Sequence, residues 1–375
     1  MPAARILVAD DQADILQALR LLLSDAGFET DLVNSTGDVI ARLSNTSYDL
    51  LLMDLNYTRD TTSGREGLAL LDQVREIDAT LPVVVMTGWG SIDTAVEAMR
   101  RGARSFVQKP WDDATLLEIV QREVADGVAD RRRDAHLARE QDEARRIQSA
   151  LLPSVMPQVS GAEVAACWTP ASGIGGDFYD LLRFDDARLA LCIADVVGKG
   201  LPAALLMSNL QASVRAFATS EAPPHDVTMR VNQLLCRNIS SGKFATFCYA
   251  VVDTAERTVA FANAGHNPPI LMRRAGTVER LDPTGLVLGV APDWTYESRR
   301  HRLEPGDRLV CFTDGISEAA SPTGEEFGDG RLLDVVAAHR DRSPGELTEA
   351  VATAAADWAG GATQDDATLI VLAIQ

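Results

Sequence analysis

The sequence predicts two folded units of different class: an α/β doubly wound parallel sheet, then an α+β antiparallel β-sandwich flanked by helices, with a helical linker between them. Three observations carry this reading. The chain has 375 residues, 46% hydrophobic and 24% charged, which suits packed domains and, at about 100 to 200 residues each, requires two of them. Up to about residue 122, short and nearly uninterrupted apolar runs alternate with helical patterns, as expected of strands buried on both faces. Beyond about Gly161, strands follow one another at short spacing with turn residues between them. The expected divisions are residues 1–124, a linker over 125–155, and residues 156–375.

In the first unit RILVA, from Arg5, opens the sheet, and an amphipathic stretch from Asp14 to Ala26 follows. DLLLMDL precedes a Leu-rich helix around Leu68 to Arg75, PVVVMTG precedes SIDTAVEAMRRGA, and SFVQKP precedes DDATLLEIVQREV. Ligands of such sheets bind beyond the carboxyl ends of the strands. There the chain offers Asp10 and Asp11, Asp54, Thr87 and Lys109. Converging carboxylates repel one another unless a hard divalent cation joins them, and oxygen ligands suit Mg2+. A lysine and a threonine hydroxyl would then hold phosphoryl oxygens by charge and hydrogen bond.

Over roughly the first 120 residues these motifs resemble a two-component response-regulator receiver domain, of flavodoxin-like fold. The resemblance implies Asp54 as phosphoacceptor for a cognate sensor histidine kinase. It implies Asp10, Asp11, Asp54 and the backbone carbonyl of Asn56 as Mg2+ ligands, Thr87 and Lys109 as phosphoryl contacts, and Phe106 as the switch aromatic. It also implies a cis junction between Lys109 and Pro110. One departure is LNYTRDTTSGREG after Asp54, longer and more polar than the usual short loop.

From Asp112 to about Leu152 the chain reads as helix, ended by Pro153 and Pro157. Leu137, Ala144 and Leu151 recur at intervals of seven, with Ile147 on the same face, amid charged residues. A coiled coil pairing two chains is expected, with Gly127 interrupting the pattern; a single solvated helix is the alternative. Arg131 to Arg133 are interleaved with acids and read as a solvated face. No helix-turn-helix or phosphate-binding P-loop follows.

The second unit opens its regular pattern with ARLALCIADV, FATFCYAVVD and TVAFANAG, then PPILMRR, TVERLD and GDRLVCFTDG. Helices are expected around Pro202 to Ala218, His225 to Asn238 and Leu347 to Ala359. Acids gather at Asp177 in GIGGDFYD, Asp195 in IADVVGKG, Asp314 in FTDGISEA, and Asp365 with Asp366 in QDDATLIVL, each read as terminating an apolar run. One Asp-Gly pair is an ordinary turn. Four acid sites, three with glycines that allow close backbone approach, argue for a dinuclear metal cluster.

From about residue 145 onward these motifs resemble metal-dependent protein Ser/Thr phosphatases of the PPM class, protein phosphatase 2C-like, in the bacterial SpoIIE branch. The resemblance implies that Asp195 bridges two Mn2+ or Mg2+ ions, with the carbonyl of Val196 on one. Asp314 and Asp365 would complete the second ion, Asp177 would act through water or an additional ion, and Asp366 and His266 are further site candidates. Val197 stands where many eukaryotic relatives carry His, and no phosphate-binding Arg is evident, so the general acid is unassigned. The implied substrate is a phosphorylated anti-sigma-factor antagonist. A non-catalytic adaptor is the alternative, disfavoured because every carboxylate is present. GGDFYD is similar to a diguanylate cyclase signature, but Phe178 replaces the required acid.

Lys plus Arg number 35 against 54 Asp plus Glu, a net charge of −19, the wrong sign for a DNA partner. Five cysteines without a CxxC pair read as buried free thiols. No apolar stretch approaches the roughly 18 residues of a membrane span, and the opening segment reads as a strand, so a cytoplasmic protein is expected.

Overall fold

The computed structural model describes residues 3–57, 64–88, 92–171, 173–239, 242–361 and 364–375. The chain divides into two compact units, Met1–Arg139 and Glu140–Gln375. Along the first run β1 (Arg5–Ala9), α1 (Ala13–Asp25), β2 (Glu29–Val33), α2 (Thr36–Leu43), β3 (Leu50–Asp54), α3 (Arg65–Ile77), β4 (Val83–Thr87), α4 (Ile92–Arg100) and β5 (Ser105–Gln108). Helix α5 (Asp113–Leu151) follows and supplies residues to both units.

The first sheet is parallel in the order β2-β1-β3-β4-β5. Side chains alternate between its faces. Ile6, Val8, Leu50, Leu52 and Val84 pack with Leu19, Leu116 and Val120 of α1 and α5. Leu7, Leu51, Met53 and Val85 pack with Val39, Leu71, Val74 and Ala98 of α2 to α4. Parallel strands deliver their carboxyl ends to one rim. Neither β2 nor α2 was expected; ETDLV is a half-exposed edge strand and lacks a continuous apolar run. The polar loop after Asp54 lies largely outside the described residues, over 58–63.

The helix expected from Asp112 to about Leu152 is the single helix α5 of 39 residues, which runs through Gly127. A Cβ at Gly127 would overlap the Pro82 ring, so glycine lets the helix lie close to the segment entering β4. The heptad positions Leu137 and Ile147 are 49% and 61% exposed.

The second unit begins with β6 (Ala162–Thr169), β7 (Phe178–Arg183), β8 (Arg188–Val196), α6 (Leu201–Phe217), α7 (Pro224–Asn238), β9 (Ala245–Asp253) and β10 (Thr258–Ala264). It continues through β11 (Ile270–Met272), β12 (Val278–Arg280), β13 (Arg299–Arg302), β14 (Arg308–Phe312), α8 (Asp314–Ser317), α9 (Gly328–Ala338), α10 (Pro344–Trp358) and β15 (Ala367–Ile374). Two antiparallel sheets result, β13-β10-β9-β8-β7 and β12-β11-β14-β15-β6. Leu309, Cys311, Ile370 and Leu372 join the core built by β8 and β9, which α6 and α7 extend through Met207, Leu210, Val231 and Leu235. The alternate residues Val310, Phe312, Leu369 and Val371 pack with Leu332 and Val336 of α9 and Leu347 and Val351 of α10. All five cysteines are free; Cys192, Cys248 and Cys311 are buried, while Cys167 and Cys236 are partly exposed.

The expectation that each acid terminates an apolar run needs correction. Asp195 lies at the end of β8 and Asp314 follows β14, but Asp177 immediately precedes β7 and Asp365 precedes β15. Antiparallel pairing brings these opposite ends together. Phe178 pairs with Ala194 and Phe312 with Leu369, so both sheets carry acids at the ends of adjacent, oppositely running strands. No described helix is long and apolar enough to cross a membrane.

Candidate functional site

In the first unit Asp10, Asp11 and Asp54 each offer a carboxylate oxygen within 4.8 Å of the others. Asp10 and Asp54 are buried. Lys109 Nζ donates to Asp10 Oδ2 at 2.6 Å and to Asp54 Oδ2 at 2.7 Å. Backbone amides orient the acids: the Gln12 N–H donates to Asp10 Oδ1 at 2.9 Å and the Asn56 N–H to Asp54 Oδ1 at 3.2 Å. Burial raises the Asp54 pKa despite the hydrogen bond and charge of Lys109. Asp11, Asp54, Asn56 and Lys109 line a cavity of about 210 Å³.

Tyr57 lines the same cavity with a buried hydroxyl that has no hydrogen-bond partner among the described residues. That orphan donor, the acid trio and the lysine fit a divalent cation and a phosphoryl group. Thr87 is buried at the end of β4, its backbone carbonyl accepting from the Lys109 N–H at 2.7 Å. The peptide between Lys109 and Pro110 is cis. Phe106 is 47% exposed on the edge strand β5.

The second unit distributes its acids more widely. Among the described residues, the only trio within 4.8 Å is the Asp10 group; Asp195, Asp314 and Asp365 do not converge so closely. They nevertheless share one field. Burial first, then Asp314, Asp365 and Asp366, push the Asp195 carboxyl up to about 7, with Lys199 opposing them. Burial and Asp365 likewise raise Asp314. Lys199 Nζ lies 3.0 Å from Asp365 Oδ2, but both side chains are more than half exposed. Such a pair contributes only about 0 to 1 kcal/mol and is easily replaced. Carboxylate oxygens that share one field and, among the described residues, have only an exposed lysine beside them fit hard divalent cations.

Asp177 is buried, and its Oδ2 accepts from the Thr313 hydroxyl at 2.7 Å and the Thr368 hydroxyl at 2.5 Å. Both threonines flank acids in the sequence, but nothing local marks them as partners of Asp177. Asp366 accepts from the Ala171 N–H at 2.9 Å and the Gly176 N–H at 2.6 Å. Its carboxylate therefore holds the glycine loop. Gly176 is needed for close approach: a Cβ there would stand 2.7 Å from the Val196 carbonyl oxygen, and one at Gly315 would overlap the Asp366 backbone.

His266 is buried, with its Nδ1 2.8 Å from Thr246 Oγ1. Thr246 pairs with Asp195 across β8 and β9. Burial pushes the imidazole down to about 4, so it is neutral near pH 7 and suited to bracing β9.

Sequence reasoning missed Gln148, on the last turns of α5. Its Nε2 donates to the Gly175 carbonyl at 2.6 Å, and its Oε1 accepts from the Gly175 N–H at 2.9 Å. Gln148 is 3% exposed, so water cannot readily replace these bonds. Gln148→Ala is expected to leave buried backbone groups unpaired, at about 1 to 3 kcal/mol per group. The measurable result is a lower melting temperature than that of the wild-type protein in a thermal denaturation scan.

Two classes of domain thus share one chain, a receiver-type α/β unit and a sandwich of the protein phosphatase 2C type. The response regulator receiver domain model matches residues 6–121, and the Stage II sporulation protein E (SpoIIE) model matches residues 185–375. The chain belongs to the SpoIIE family.

Protein IcfG of Synechocystis sp. is 30% identical over 249 residues, a match covering 59% of this chain and 38% of IcfG. Phosphoserine phosphatase RsbU of Bacillus subtilis is 31% identical over 231 residues, covering 61% of this chain and 68% of RsbU. The SiaA-PP2C domain of Pseudomonas aeruginosa superposes with a TM-score of 0.57 at 23% identity, covering 64% of this chain and 98% of that domain. The last likeness establishes the fold.

Proposed function

We propose that the chain is a phosphorylation-controlled, metal-dependent protein serine/threonine phosphatase. The observation that carries this is the acid rim of the second unit, where antiparallel pairing brings Asp177 and Asp195 to one end of their sheet and Asp314 and Asp365 to one end of theirs, and Asp195 lies in the field of Asp314, Asp365 and Asp366. Asp195, Asp314 and Asp365 would hold two Mn2+ or Mg2+ ions, with the Val196 carbonyl and Asp177 as further contributors. Bound there, the ions would supply an activated water and neutralise charge developing on phosphorus. Asp366 holds the glycine loop through the Ala171 and Gly176 amides. Gly176 leaves the Val196 carbonyl uncovered by a Cβ.

In the first unit Asp54 would accept a phosphoryl group from a sensor histidine kinase. Asp10, Asp11 and the Asn56 carbonyl would hold Mg2+, while Thr87 and Lys109 contact the phosphoryl oxygens. Phe106 is the proposed reporter of that state. The continuous helix α5 carries control toward Gln148, and the exposed Leu137 and Ile147 suit pairing of two chains. The similarity to the phosphoserine phosphatase RsbU supports a phosphoserine substrate, and we assign the phosphorylated protein, on phosphoserine or phosphothreonine, to an anti-sigma-factor antagonist.

Purified protein is expected to hydrolyse p-nitrophenyl phosphate and a phosphoserine peptide with Mn2+, and to lose both activities in EDTA. Absence of Mn2+-dependent hydrolysis would overturn the reading.

A further inference from the structure

Beside the acid rim of the second unit lies a cavity of about 280 Å³. Its wall includes Ala352, Ala355 and Ala356 of α10 and Ala359 at that helix's C-terminal cap, together with Ile316 of α8. Gly315, Lys199 and Asp365 also line it, so the cavity opens onto the proposed catalytic rim. Protein interiors are close-packed, and larger side chains on this face of α10 would close the hollow. Small-ligand pockets begin at roughly 300 Å³, so this one suits a single side chain.

Successive residues of a bound chain stand about 3.8 Å apart. A phosphorylated residue presented to Asp314 and Asp365 therefore brings its neighbours to the cavity mouth. Glu318 also lines the cavity, in the field of Asp314 and Asp365, and disfavours an acidic occupant. Thr169 and Gln364 supply a polar edge, but the alanine wall that forms one side of the cavity offers no hydrogen bond to a polar occupant.

We propose that this cavity is a specificity pocket that receives an apolar side chain flanking the phosphorylated residue of the protein substrate. The inference rests on the phosphatase reading and specifies which substrate sequences that site prefers.

The test uses the full chain with Mn2+ and peptides carrying a central phosphoserine, with alanine, leucine, phenylalanine or glutamate at each flanking position. At one flanking position leucine or phenylalanine is expected to raise kcat/KM about tenfold or more over alanine, the range for added methylenes in an apolar pocket. Glutamate at that position is expected to lower it. Ala356→Trp and the milder Ala352→Leu are expected to erase the leucine preference, measured as a ratio within each variant.

Equal turnover of all flanking residues by wild type, alongside Mn2+-dependent hydrolysis of p-nitrophenyl phosphate, would overturn the pocket and leave the phosphatase reading intact. A preference that survives in both folded variants would also overturn it. Failure to hydrolyse any phosphopeptide or p-nitrophenyl phosphate would overturn both readings.

Discussion

Asp195→Asn is expected to lower Mn2+-dependent hydrolysis by at least about a hundredfold, because metal ions supply several kcal/mol of transition-state stabilisation. An amide keeps the size and one oxygen but loses the charge that makes a carboxylate a cation ligand. The same substitution should have a second, opposite effect. Burial and three neighbouring acids raise the Asp195 pKa from 3.8 to about 7 in the metal-free fold. A raised acid pKa means that its contribution to stability is full below the unfolded value and is lost as pH rises through about 7. With EDTA, the variant should melt above wild type at pH 8, with the difference shrinking toward pH 4. Full Mn2+-dependent turnover by the variant would remove Asp195 from the proposed cluster.

Asp54→Asn is expected to abolish acyl-phosphate formation, because an amide cannot serve as the phosphoacceptor. Incubation with acetyl phosphate and Mg2+ should retard wild type, and not the variant, on a phosphate-affinity gel. Lys109 would keep its 2.6 Å bond to Asp10, so loss of Asp54 should not unfold the rim. The metal-free first unit should become somewhat more stable at neutral pH, because burial makes the Asp54 charge costly. Basal hydrolysis by the second unit should persist while its response to acetyl phosphate disappears. An equal response in wild type and variant would exclude control through Asp54.

The two sites differ in how far they could be read from sequence, and strand direction explains the difference. In the parallel sheet every strand reaches the same rim at its carboxyl end. Looking just past each apolar run therefore finds Asp10, Asp54 and Lys109, which the fold brings into direct contact. In the antiparallel sheets alternate strands run the other way. Asp195 and Asp314 obey the same rule, whereas Asp177 and Asp365 sit at strand beginnings.

Glycine and glutamine were harder to interpret for a related reason. Gly127 has low helix propensity, but its meaning depends on Pro82, far away in sequence. Gln148 looks like one more polar residue on a charged helix until α5 and the loop at Gly175 are placed together. Asp365 and Asp366 are adjacent and alike in sequence, and only the Asp366 bonds to the Ala171 and Gly176 amides separate their roles.

Sequence alone determined the two fold classes, the order of the units, the continuous helix after the first and the acids available for chemistry. Apolar periodicity and strand-end residue types are local properties, and local properties survive in a linear reading. Tertiary structure alone decided that opposite strand ends form one acid rim, that Gln148 grips Gly175, and that an alanine-lined cavity opens beside Asp365. Each depends on distances between residues remote in the chain, which become defined only when packing sets strand direction, register and helix rotation.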